Sequence, residues 1–282
     1  MYDVPIGVFT SIDAGLGVNF EVVCELGLKS IQLHTPRRES RTPAGASAFL
    51  YKLWEHGIKI TTIFLGFEGE SYETIEITSQ TVGFVPPKTR AARLVEAFEI
   101  SDFAKLLGVT YIGSHIGFVP HDRRSNEYAE VVETIRSLCK YLQKNSQALT
   151  LETGQESVQA LLTFIDDVAC NNIYINFDPA NLILYGIGNP IEALKLVGRK
   201  VRGVHCKDAI ATKGTPGVDW GQEVPFGSGE VNAEEFIKTL QKIGYKGALT
   251  IEREIPEQPE KQKEEIGAAV NLINSIKIKI ND

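Results

Sequence analysis

Short β-branched runs alternate with longer amphipathic runs along the whole chain. The apolar runs predict strands over Ile6–Thr10, Ser30–His34, Ile58–Leu65, Thr110–His115, Ala148–Thr153, Ile173–Asp178, Val201–Lys207 and Ala248–Arg253. They read as nearly continuous apolar stretches, the pattern of parallel strands buried on both faces. Helical periodicity predicts helices over Asn19–Leu26, Ala44–Glu55, Lys88–Leu107, Ser125–Lys144, Ser157–Ala169, Pro190–Val197, Asn232–Ile243 and Pro259–Ile276. The ends carry their own signals. Ser125 and Asn189 are good caps, Pro190 fits a first helical position, and Gly27, Gly57, Gly108, Gly198 and Gly244 stand where helices stop.

Eight β/α units suit either an open doubly wound sheet or a closed barrel. The barrel fits better, because eight strands meet the closure count and no strand is followed by a GxGxxG turn. The expected fold is therefore α/β, a single (β/α)8 TIM barrel spanning residues 1–282 as one domain, with no composition break to mark a second. With 282 residues, 43% of them hydrophobic, the chain can bury one sizeable core. Gly 25 and Pro 12 are ordinary counts, which excludes collagen-like and broadly disordered classes. No apolar run reaches the roughly 18–20 residues needed to cross a bilayer. The start, MYDVPIGVFT, has an acid and no basic region, so it does not read as a signal peptide. Cys24, Cys139, Cys170 and Cys206 form no CxxC pair and read as small buried residues in a reducing compartment; the expected location is the cytoplasm. A net charge of −7 disfavours nucleic acid as a partner.

Two connections are too long for plain turns: Gly66–Pro87, with Phe67, Tyr72 and Phe84, and Asp208–Val231, with Trp220 and Phe226. Both follow strand C-termini and would overhang the barrel mouth. Their aromatics suit a lid that excludes water, with Trp220 a candidate substrate contact; the alternative is a subunit contact, which with the long C-terminal helix leaves room for a homo-oligomer.

The chemistry gathers at the ends of the last four strands. LTLET places Glu152, INFDPAN places Asp178, GVHCKD places His205 and Lys207, and LTIERE places Glu252. Any one of these alone is more often solvated or salt-bridged than catalytic. Four at equivalent positions of four successive strands are less easily dismissed, since in a barrel these ends converge on one rim. Crowded carboxylates repel and raise one another's pKa; a divalent cation relieves that, and Asp, Glu and imidazole are ordinary ligands for Mn, Mg, Co or Zn. His34 and His115 end strands two and four and would face the same mouth, or be satisfied structural histidines. His121 reads as surface, and His56 sits at a helix C-terminus, where a partial positive charge is favoured, and needs no other role. Gly227 and Gly229 in PFGSGEV could offer amides to a phosphate, but a turn leading into the next helix is the favoured reading.

With the series Glu152, Asp178, His205 and Glu252, and the runs NFDPAN, VHCKDA and PFGSGEVNAEEFIKTLQKIGYKGALTIERE, the chain resembles the sugar isomerase/epimerase members of the xylose-isomerase-like barrel superfamily. These include ketose 3-epimerases, inosose dehydratase and hydroxypyruvate isomerase. The resemblance covers the whole chain and is strongest from Leu149 to Glu254. It implies that the four residues hold one divalent metal. Glu152 and Glu252 would also be the acid/base pair that moves a proton beside a substrate carbonyl through a cation-stabilised enediolate. His34 and His115 would contact substrate hydroxyls or support the ligands. There are departures. Asn181 stands where such epimerases often have a His, so it can hydrogen-bond a hydroxyl but cannot titrate. Lys207 is the nearest cation where they carry an Arg, and would contact substrate, balance Glu252, or pair with Asp208. These departures weaken a specific 3-epimerase assignment.

The implied partner is a small carbohydrate, a sugar, sugar phosphate or polyol. Three other readings compete. A hydro-lyase of the inosose dehydratase type would use the same enediolate to expel a hydroxyl. A non-catalytic ligand-binding barrel would leave costly buried carboxylates unused. An abasic-site nuclease would need more histidines and a basic channel.

Overall fold

The structure, a computed structural model, describes residues 2–255 and 258–281. Its strands are β1 (Ile6–Thr10), β2 (Ser30–His34), β3 (Lys59–Phe64), β4 (Tyr111–Ser114), β5 (Ala148–Glu152), β6 (Ile173–Phe177), β7 (Val201–Cys206), β8 (Asp208–Ile210), β9 (Gln222–Val224) and β10 (Leu249–Ile251). Among the described residues, β1 to β7 and β10 close into one parallel barrel, with β10 between β7 and β1. β8 and β9 form a separate antiparallel hairpin above it. The fold is a single (β/α)8 barrel, as expected from the alternation of runs.

The helices follow the predicted sites closely. They are α1 (Phe20–Glu25), α2 (Pro43–His56), α3 (Ile75–Thr81), α4 (Pro87–Leu106), α5 (Asn126–Lys144), α6 (Val158–Val168), α7 (Pro179–Leu184), α8 (Pro190–Val197), α9 (Ala233–Lys242) and α10 (Pro259–Lys279). The caps act as anticipated: the Ser125 hydroxyl accepts from the Tyr128 amide, and Asn189 accepts from Ile191 and Glu192. Such caps satisfy amides that have no partner inside the helix.

The strands are not uniformly apolar in register. Leu151, Phe177, Val204 and Ile251 are buried against the helices, and Phe177 stacks on Phe236 of α9. The alternate residues Thr150, Asn176, Gly203 and Thr250 line up with Glu152, Asp178, His205 and Glu252, two residues further along. The period of two along a strand puts both sets on the inward face.

Four elements lie inside the two long connections or directly after Asp178. α3 occupies part of Gly66–Pro87, β8 and β9 occupy part of Asp208–Val231, and α7 starts at Pro179. The lid expectation is corrected here. Phe84 is fully buried and Phe226 is buried, both away from the mouth, whereas Phe67, Tyr72 and Trp220 line the cleft there. The first loop is also clamped from beneath. Arg93 of α4, buried, donates to the carbonyls of Thr81 (2.6 Å) and Gly83 (2.7 Å), and Arg90 donates to those of Phe84 (2.8 Å) and Val85 (2.6 Å). Gly83 has a positive φ, and a Cβ there would strike the Ile116 carbonyl carbon at 2.1 Å, so the loop meets the segment after β4 backbone to backbone.

Cys139 and Cys206 are buried and Cys24 and Cys170 half-buried, all as free thiols. No described helix is long and apolar enough to cross a membrane.

Because the Phe84 ring is core rather than lid, Phe84→Ala should cost about 3–5 kcal/mol in chemical denaturation. A loss below about 1 kcal/mol, the level of an ordinary surface change, would place the ring outside the core.

Candidate metal centre

Glu152 ends β5, Asp178 follows β6, His205 lies near the end of β7, and Glu252 follows β10. Barrel closure brings these four together: one ligand atom from each lies within 4.8 Å of the other three. His205 Nδ1 is 2.8 Å from Glu152 Oε1, 3.4 Å from Asp178 Oδ2 and 2.5 Å from Glu252 Oε2. The quartet predicted from the strand ends is assembled.

Three of the four members are held by local structure. Asp178 caps α7: its Oδ1 accepts from the amides of Ala180 (2.8 Å) and Asn181 (3.0 Å), which leaves Oδ2 facing the centre. Thr153 exchanges two hydrogen bonds with the Asp178 backbone. Glu252 Oε1 lies 3.2 Å from Lys207 Nζ, which leaves Oε2 facing His205. His205 Nε2 pairs with Gln32 Oε1 at 2.7 Å, and its ring packs against Phe9 and Phe64.

The donor set fits a cation. Asp178 Oδ2, His205 Nδ1 and Glu252 Oε2 are buried atoms without a well-formed hydrogen bond, which is costly unless something compensates them. With its Nε2–H given to Gln32, the imidazole turns Nδ1 toward three carboxylate oxygens, where it offers a lone pair once its second proton is lost. A divalent ion resolves that juxtaposition, and one His with three carboxylates is a plausible set for such an ion. The same crowding shifts the protonation equilibria. Burial raises the Glu152 carboxyl to about 7, against the pull of His205. Burial also pushes Glu252 up, but His205 and Lys207 outweigh it and hold it well below the usual carboxylate range. His205 is disfavoured as a cation by burial, yet the surrounding carboxylates raise it well above an ordinary imidazole.

A cleft of about 700 Å³ opens over the quartet and is lined by His34, His115, Asn181, Lys207 and Trp220 among others, so all five further candidates reach it. Their surroundings differ. His115 Nδ1 accepts from the Gly117 amide at 3.3 Å, and its Nε2 is buried without a partner. Burial lowers its pKa to about 4, so the ring is neutral. His34 is lowered in the same sense and hydrogen-bonds the Thr35 carbonyl. Asn181 spends its amide N–H on the Thr153 carbonyl at 3.0 Å and keeps Oδ1 free of that bond. Lys207 is buried and neutralised by Glu252, by Glu223 at 3.6 Å and by Asp178 at 4.0 Å, not by Asp208. Trp220 packs against Tyr185 at 4.7 Å, with its Nε1 buried and unpartnered.

Asp208 instead organises the Pro225–Val231 segment. Its carboxylate accepts from the amides of Ala209, Gly227, Gly229 and Val231 at 2.9–3.0 Å. Gly227 and Gly229 therefore have no amide to offer a phosphate, and the turn reading holds.

Sequence reasoning missed Tyr185, Glu223 and Gln32. Tyr185 and Glu223 enter through α7 and the β8–β9 hairpin, which had no clear pattern. Gln32 had one: it is a lone amide inside the apolar run SIQLH.

A family model described as the xylose isomerase-like TIM barrel matches residues 20–275, and the chain belongs to that family. A crystal structure of a xylose isomerase domain protein from Planctomyces limnophilus is 51% identical, covers 99% of both chains and superposes with a TM-score of 0.96. A structure of L-ribulose 3-epimerase shares the fold at a TM-score of 0.72 over 99% of this chain and 97% of its own, with 13% identity. An uncharacterized protein of Methanocaldococcus jannaschii is 24% identical over 174 residues, 57% of this chain and 56% of that protein. The chain thus spans about half the length of this curated relative.

Behind the cleft, half-buried Glu156 accepts from the Val119 amide at 2.8 Å and from Gln155, yet desolvation lifts its carboxyl to about 7. A carboxyl raised in the folded state stabilises the fold below its unfolded pKa, and that contribution is lost as pH rises through about 7. Glu156→Gln should therefore gain stability relative to the native chain between about pH 5 and about pH 8. Urea midpoints at both pH values check this, and a constant difference would contradict it.

Proposed function

We propose that the protein is a divalent-metal-dependent isomerase or epimerase of a small sugar or related polyol, with Glu152 and Glu252 as the proton-transferring pair. The observation that carries this reading is the quartet of Glu152, Asp178, His205 and Glu252 with unpaired donors facing one centre at the floor of a 700 Å³ cleft. Glu152, Asp178, His205 and Glu252 would hold the ion. When bound, a divalent cation supplies Lewis-acid stabilisation of the negative charge that develops on two adjacent substrate oxygens.

The chain's own groups do the rest. One glutamate takes the proton from the carbon beside the carbonyl, and the other returns a proton. Delivery to the opposite face of that carbon gives an epimer; delivery to the neighbouring carbon gives an aldose–ketose isomer. Lys207 holds Glu252 Oε1, which aims Oε2 at the reacting centre. The His115 Nε2–H, buried and unpartnered, offers a donor to a substrate hydroxyl. Tyr185, Trp220 and Tyr72 wall the cleft and limit water around the carbanion. The commitment of the Gly227 and Gly229 amides to Asp208, and of Lys207 to carboxylates, favours a substrate without a phosphate.

The test is a panel of sugars and polyols incubated with metal-loaded protein in deuterated water. Deuterium should appear at one substrate carbon, and removing the metal with a chelator should stop it. Glu152→Gln and Glu252→Gln should each lower that exchange by at least about 100-fold, the scale of a lost general acid or base. Undiminished exchange in either variant refutes its role. Loss of a hydroxyl with formation of an unsaturated product would assign the chemistry to a hydro-lyase instead.

A further inference from the structure

Below the quartet lies a polar layer that proton transfer does not use. Gln32 of β2 is 1% exposed, and Asn176 of β6 is fully buried. These strands stand on opposite walls of the barrel, four places apart in the strand order. Gln32 Nε2 donates to Asn176 Oδ1 at 3.0 Å, and His205 Nε2 meets Gln32 Oε1 at 2.7 Å. The chain of bonds therefore runs from β7 through β2 to β6, across the interior. Gly203, two residues before His205 on the same face, makes room for it. A Cβ there would meet Asn176 Oδ1 at 2.2 Å and Gln32 Nε2 at 3.2 Å.

Burying two amides in the centre of a barrel is costly unless their bonds are used, and of their four polar ends only Asn176 Nδ2 lacks a partner. Their arrangement carries directional information that the neighbouring rings lack. Phe9 and Phe64, with centroids 5.9 Å and 5.2 Å from His205, restrict the imidazole plane but do not distinguish its nitrogens. Gln32 does. With its nitrogen given to Asn176, its oxygen faces His205, and an oxygen there accepts only from an N–H. The proton is thereby fixed on Nε2, and the Nδ1 lone pair is turned toward Glu152, Asp178 and Glu252.

We propose that Gln32, oriented by Asn176, is a positioning residue that sets the tautomer and ring orientation of His205 and thereby raises the affinity of the quartet for a divalent cation. The inference rests on the metal-centre reading but not on the identity of the substrate. Partners of this kind typically govern metal affinity by roughly 10–100-fold.

Two measurements test it. In zinc-loaded protein labelled with 15N-histidine, the His205 ring (assigned by its loss in His205→Gln) should carry its proton on Nε2, exchange it slowly with water, and show metal ligation at Nδ1. A proton on Nδ1 overturns the proposal. The second measurement is zinc affinity by chelator competition. Gln32→Met removes the acceptor at similar volume and should weaken zinc by roughly 10–100-fold. Gln32→Glu restores an acceptor and should bind within a few-fold of the native chain. A residue that mattered only for packing would not be rescued in this way, so equal affinity in the native chain and Gln32→Met, or an equal loss in both variants, overturns the proposal. If Gln32→Met fails to fold, Asn176→Leu, which releases the Gln32 amide, is measured in its place: it should weaken zinc in the same direction, and unchanged affinity overturns the proposal. Zinc binding with the wrong tautomer sinks only the role of Gln32, whereas a folded native chain that binds no zinc sinks the metal centre and this proposal together.

Discussion

Three carboxylates and one imidazole are pressed together at the floor of a buried cleft. Their mutual repulsion is the constraint around which the mouth is arranged. Like charges at these distances cannot all be desolvated without positive charge among them. Lys207 supplies part of it, at 3.2 Å from Glu252 and within 4.0 Å of Asp178. The remainder is demanded at the point where Asp178 Oδ2, His205 Nδ1 and Glu252 Oε2 face one another. Asp178 and Glu252 each have one oxygen tied and one directed inward. That division of labour separates an assembled ligand set from a chance cluster of surface acids.

The barrel makes the crowding geometrically cheap. Each ligand comes from a different strand, so no local turn has to bend to bring them together; closure of the sheet does that. Short supports then finish the job. The Asp178 cap of α7 fixes one carboxylate, and Asp208 gathers four amides to shape the descent into α9. Two acids, Asp178 just after β6 and Asp208 at the start of β8, thus take opposite roles. Asp178 keeps an oxygen for the centre, and Asp208 uses both oxygens on its own backbone.

Much of this was legible in the sequence. Eight apolar runs separated by capped helices specified the barrel because parallel strands and their crossovers leave strong periodic marks. The quartet was legible because a charged residue ending an apolar run is conspicuous, and four in succession more so. What escaped notice had weaker marks. The runs containing Asn176 and Gln32 were read as continuous apolar strands, since one amide among β-branched neighbours scarcely disturbs the pattern; only a strict period of two separates the inward face from the outward one. Phe84 reads as a lid aromatic because a long loop gives no sign of which face it turns inward. Arg90 and Arg93 decide that, and they lie on a helix whose pattern suggested only an amphipathic surface. The β8–β9 hairpin has strands of three residues, too short to leave a period at all.

The arginine clamp has a consequence for how such a cleft could diversify. One wall is fastened through guanidinium–carbonyl bonds to α4, and its Phe84 is spent in the core. Reshaping it would mean disturbing the scaffold. The facing wall is a small hairpin that carries Trp220 and Glu223 and is joined to the barrel at its two ends. A rigid jaw set against a replaceable one lets the range of molecules accepted be retailored on the hairpin side, while the chemistry at the floor stays untouched.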